Sequence, residues 1–153
     1  MRDLSAAIHV MAPSGFSLAF LNTYITDLGG GTADAVLPLH FKVTQLAGLV
    51  LERDVNVRVD YVPQPGGPAV LNVAWEPDAT IFPRFDGRLN ARDDGEKACR
   101  LSIEGEYDVP GGVAGQIFDA VIGARIAQAT IEQLLERFRD AIEADYKRRM
   151  EYA

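Results

Sequence analysis

Cysteine is nearly absent from this sequence. Cys99 stands alone, so no internal disulfide can form, and with only two histidines the chain lacks the ligand set of a usual structural zinc site. Basic clusters are scarce too. Fifteen Lys and Arg against twenty-two Asp and Glu leave a net charge of −7, which repels phosphate backbones and argues against a nucleic-acid partner. The one dense basic stretch, Lys147-Arg148-Arg149, closes a helical pattern, where cations favour the helix C-terminal dipole. No apolar run approaches the eighteen or more residues of a membrane span, and no signal-sequence pattern opens the chain. The expectation is an untargeted cytoplasmic protein without membrane insertion. Gly29-Gly30-Gly31-Thr32 lacks the downstream Gly-Lys-Ser/Thr of a phosphate-cradling loop and reads as a flexible connection. No Ser, Thr or Cys lies in a nucleophile motif, and His9 and His40 each read as a surface or rim histidine. Nothing nominates a catalytic residue, a metal ion or a cofactor.

What is present is the composition of an ordinary globular domain, 48% apolar and 24% charged over 153 residues, enough to bury about two thirds of the unfolded surface. A single domain over residues 1–153 is expected. Leu4, Ala6, Ile8 and Val10 alternate with Asp3, Ser5, Ala7 and His9, the period of a half-buried strand. Ala12-Pro13-Ser14-Gly15 stops it, and apolar residues then recur at helical spacing from Phe16 to Leu28. Leu37 to Val43 reads as a strand whose Pro38 belongs at an edge or a strand start. Between Val50 and Val62, Val55, Val57, Val59 and Tyr61 share one side with Leu51 and Arg53, and Asp54, Asn56, Arg58 and Asp60 take the other. A turn-rich Pro63 to Pro68 leads into Ala69 to Trp75, with Leu71, Val73 and Trp75 on the dry side. Two more strands, Ile81 to Arg92 and Glu96 to Tyr107, are joined through Asp93-Asp94-Gly95, whose Asp-Gly step signals a hairpin. Cys99 falls on the dry side of the second and reads as a small buried hydrophobe.

After Val109-Pro110-Gly111-Gly112 the period changes. Val113, Ile117, Val121, Leu135, Phe138, Ile142 and Tyr146 mark one stripe of a helix from about Val113 to Arg149, with Glu132, Glu136 and Lys147 opposite. Such a helix reaches about 55 Å, longer than the roughly 40 Å of a compact chain of this size, so a bend near Gly123 or a projecting end is expected. Strand, helix, several strands and a long helix make an α+β fold with the helix laid on one face of an antiparallel sheet.

Phe82-Pro83-Arg84-Phe85-Asp86-Gly87, the run from Leu101 to Gly112, and Ala124-Arg125-Ile126-Ala127 on the long helix, together with this layout, resemble the START-like, or SRPBCC, superfamily of helix-grip proteins, which includes polyketide cyclases, Bet v 1-type allergens and lipid-transfer domains. The resemblance implies a curved antiparallel sheet wrapped around the C-terminal helix, with an apolar cavity between them. It also implies two short helices after the first strand, where only Phe16 to Leu28 reads as one.

The aromatics of the dry faces then become candidate ligand-binding residues: Tyr61, Trp75, Phe85 and Tyr107 from the strands, and Phe118, Val121 and Ile122 from the helix. Gly87, Ala91 and Gly105, small and inward by parity, are read as leaving room beside them. The inward faces carry almost no ionisable groups apart from Arg53 and the tyrosines. That favours binding of a hydrophobic small molecule, a lipid or polyketide-like compound, over catalysis. Two alternatives stay open: a cyclase or aromatase in which cavity Tyr and Arg groups donate protons, and a protein-interaction module, homo-oligomeric or not, with exposed apolar surface at the Pro83 to Phe85 edge or the helix end.

Overall fold

A computed structural model describes residues 2–28, 35–46, 49–62, 70–75, 84–108 and 120–151. Six strands and two helices follow in the order β1 (Arg2–Val10), α1 (Ser14–Leu28), β2 (Ala35–Leu46), β3 (Leu49–Val62), β4 (Val70–Trp75), β5 (Arg84–Asp93), β6 (Cys99–Asp108) and α2 (Ala120–Glu151). The strands form one antiparallel sheet in the order β1-β6-β5-β4-β3-β2. Pro38 lies in β2, an edge strand, where its missing N–H costs least.

Alternation in the sequence becomes alternation in burial. Val57 and Val59 of β3 are buried while Arg58 between them is exposed. Phe85, Leu89 and Ala91 of β5 face inward and Asp86, Arg88 and Arg92 outward. A shift of one residue would put those charges in the core, which fixes the register. The β5–β6 hairpin is wider than its Asp-Gly step suggests. Asp93 pairs with Cys99, the Asp94 N–H donates to the Ala98 carbonyl at 2.9 Å, and Gly95 takes φ +97°, a left-handed value that glycine adopts without strain. The turn thus consumes Glu96 to Ala98, which alternation alone assigns to the strand.

The helix α2 is assigned without interruption through Gly123 as far as Glu151, about 48 Å at the α-helical rise. The residues expected to form its first turns, 113–119, lie outside the described residues. Its inward stripe is Ile126, Ala127, Ile131, Leu134, Leu135, Phe138 and Ile142, all buried. Thr130 is also buried, its hydroxyl donating to the Ile126 carbonyl at 2.7 Å, which satisfies the only polar group it brings inside. Near the helix end, the buried carboxylate of Asp145 accepts from Arg148 and, at 2.8 Å, from Arg149 Nε. The basic stretch therefore has a specific partner one turn back as well as the helix dipole.

The placement of α2 positions everything else. Its backbone runs close to β1 and β2, the two ends of the strand order, and to β6. Among the described residues the central strands β3, β4 and β5 stand farther from it. A sheet whose two edges touch one helix while its middle holds back is curled around that helix. Helix α1 packs against β2, β5, β6 and α2, closing the space from one side.

Candidate ligand-binding site

The middle of the curled sheet must be filled by side chains long enough to reach α2, or by something else. Trp75 of β4 and Phe85 of β5 are directly paired across the strands, and their rings stack with centroids 4.6 Å apart and 24° between planes. Tyr107 of β6 is the cross-strand partner of Phe85 on the other side. All three are buried. A row of three aromatic residues thus crosses the inner face, an arrangement in which ring stacking adds to area burial.

Glycines pair beside this row, and their role differs from the one read from sequence. Gly87 and Gly105 lie opposite each other. A Cβ at Gly87 would meet Phe85 Cζ at 2.6 Å. At Gly105 it would collide with the Asp86 carbonyl oxygen and the Gly87 Cα. The ring of Phe85 occupies the space over Gly87, and the backbone of β5 occupies the space over Gly105. These glycines allow close approach of β5 and β6; they do not open a void, and a large residue at position 105 is incompatible with this pairing.

Open volume lies at the Tyr107 end. A pocket of about 480 Å³ sits between β1, β6 and the beginning of the described part of α2. Leu4, Tyr107 and Ala124 supply its apolar lining, and Arg2, Asp3, Arg125 and Gln128 its polar lining. A larger groove of about 930 Å³ runs over the outer face of the sheet. Its polar lining includes Arg58, Asp60, Asp86, Arg88, Glu104 and Glu106, so it suits water better than an apolar ligand. The pocket at Tyr107 adjoins the aromatic row.

Arg2 is the residue that the sequence reading overlooked. It shares parity with Leu4 and pairs with Tyr107 in the register, so it belongs to the inner side of β1 at the mouth. The signal is present in the alternation, two positions before Leu4 and on the same face. Of the other sequence candidates, Tyr61 lies in β3 and Val121 and Ile122 in α2, with side chains outside those described. Phe118 lies outside the described residues altogether.

Cys99 is buried, its Sγ 3.4 Å from the Ser17 hydroxyl. Burial pushes its thiol pKa up, the contact with Ser17 opposes this, and the carboxylates of Asp93 and Glu143 add to it. An uncharged, enclosed thiol is a core residue and a poor nucleophile. His9, half-exposed, lies 3.7 Å from Asp94 at the hairpin, away from the pocket lining. No group of acidic, His and Cys side chains suited to a metal ion occurs among the described residues, and no described helix is long and apolar enough to cross a membrane.

No protein-family model and no curated protein matches the sequence. Solved structures do match. The START superfamily protein from Mycobacterium smegmatis superposes with a TM-score of 0.56 at 12% identity, covering 93% of this chain and 97% of its own. The chain has a START-like helix-grip fold. A conserved protein from Geobacillus kaustophilus gives a TM-score of 0.57 at 12% identity over 96% of both chains. The Zhui aromatase/cyclase from Streptomyces sp. R1128 gives 0.52 at 17% identity over 97% of this chain and 95% of its own. At such identities the START-like likeness concerns the path of the chain, and function has to be argued from the site.

Proposed function

We propose that the protein binds a hydrophobic small molecule, of the lipid or polyketide-like class, in the space between the curled sheet and α2. The observation that carries this reading is the unequal approach of the sheet to the helix: edges close, centre distant, with the Trp75, Phe85 and Tyr107 row across the gap and a pocket opening beside Tyr107. Flat aromatic walls with few charges suit an apolar guest that gains by leaving water. Phe85 is buried, which takes away one of the two exposed surfaces named for a protein-interaction reading; at the other, the helix end, Met150 is exposed.

The chain's only tryptophan, Trp75, supplies the test. N-phenyl-1-naphthylamine added to the protein should bind at one equivalent and quench Trp75 emission by energy transfer. A dye that stays dark at several equivalents removes the basis for a ligand site. A second reading, cyclase or aromatase chemistry on a bound chain, draws on the likeness to the Zhui aromatase/cyclase and on Tyr107, whose hydroxyl is the one that the aromatic row carries. Turnover of a polyketide-like substrate, lost in Tyr107→Phe with dye binding retained, would favour it.

A further inference from the structure

We propose that the mouth beside Tyr107 selects amphipathic ligands with a singly charged carboxylate head. This rests on the reading of the inner space as a ligand site and adds the chemistry of the ligand's polar end. Arg2 reaches the mouth from β1, directly opposite Tyr107, and Arg125 reaches it from α2. Both are exposed. Among the described residues neither has an ion pair or hydrogen bond, and the Tyr107 hydroxyl has no hydrogen bond either.

Gln128, the other polar residue on α2, is already engaged. Its amide nitrogen donates to the Glu132 side chain at 3.0 Å and to the Ser5 carbonyl at 3.4 Å. Among the described residues the free side-chain donors at the mouth are therefore two guanidinium groups and one phenol. The single acid in the lining, Asp3, has outward parity and pairs in register with Glu106. Among the described lining residues two cations less one anion leave +1, in a chain whose net charge is −7, and such a balance attracts an anion. Leu4, Tyr107 and Ala124 behind the arginines form an apolar floor. A guanidinium matches a carboxylate in shape and hydrogen bonding, so an apolar tail would point inward and the head would stay at the rim.

The test displaces bound N-phenyl-1-naphthylamine with dodecanoate and with 1-dodecanol at pH 8 and low salt. Dodecanoate should compete about five- to ten-fold better, the scale expected of two partly solvated charge pairs. The double variant Arg2→Gln/Arg125→Gln should lose that preference and bind dodecanol as before, which a merely structural role for the arginines would not produce. Equal competition by the two compounds, or a preference that survives in the double variant, overturns the proposal while leaving the ligand site standing. Failure of the dye to bind the wild-type protein overturns both.

Discussion

The two ends of α2 are built differently. Toward the C-terminus, Ile131, Leu134, Phe138 and Ile142 are fully buried, and Tyr146 meets the Phe16 ring edge-on at 5.0 Å. Phe16, Phe20 and Tyr24 continue as a ladder along α1, and the Arg149 guanidinium lies 5.6 Å over Phe16. Large side chains meet helix α1 and the sheet there. Toward the other end Ile126 and Ala127 are buried, Ala124 is half-buried, and a pocket opens beside Ala124, Arg125 and Gln128. One helix thus serves as a structural anchor at one end and as the wall of a site at the other.

Breaking the solid end should cost most. Phe138→Asp places an unpaired carboxylate among buried aliphatics and removes a fully buried ring, a loss of about 4 kcal/mol or more that leaves little folded protein. Glu136→Asp, on the exposed face of the same helix, should stay within about 0.5 kcal/mol of wild type. Urea denaturation of both variants measures the contrast, and equal midpoints would refute the placement of α2.

Gly105→Ala tests the sheet beside the aromatic row. Its Cβ meets the backbone of β5, which cannot retreat as a side-chain tip could. A loss of about 1–3 kcal/mol is expected from overpacking, seen as a lower melting temperature. A neutral effect would mean that the strands separate there without penalty.

Asp145→Ala removes the acceptor for Arg148 and Arg149. Both arginines are mostly exposed and recover water, so about 1 kcal/mol is expected, and the loss should shrink in high salt. A loss as large as that of Phe138→Asp would instead make the ion pairs the anchor of this end.

The smallest effect concerns pH. Because burial raises the Cys99 thiol pKa, the folded protein holds its proton where the unfolded chain begins to lose it. This contribution to stability is complete below the ordinary thiol range near pH 8.5 and declines as pH rises toward the higher folded value. Cys99→Ala should flatten that part of the stability profile measured by urea denaturation between pH 8 and 10. An unchanged slope would mean that the thiol ionises equally easily in both states.

Alternation made most of the sheet readable before any coordinates, because each strand from β3 to β6 has one wet and one dry face and burial enforces the register. The period of α2 was equally plain from Leu135 to Tyr146. Other features arise only when strands meet. Gly87 and Gly105 are eighteen residues apart in the chain, and what matters is their direct pairing, which no local pattern reveals, so smallness reads as emptiness. Arg2 shares the parity of Leu4 to Val10, but a charged residue at a strand end reads as solvated, and only its pairing with Tyr107 places it at the mouth. Asp145 lies among charged residues that look uniformly solvated, and its burial depends on how the end of α2 meets α1.

The contrast between the two ends of α2 is tested most directly by backbone and methyl NMR during titration with 1-dodecanol. Shifts should concentrate at Leu4, Tyr107, Ala124 and Gln128, with the Trp75 indole following, while Phe138, Ile142 and Tyr146 stay unchanged. Shifts centred on the Phe16 and Tyr146 end, or none at saturating ligand, would contradict the assignment of the site to the hollow end of the helix.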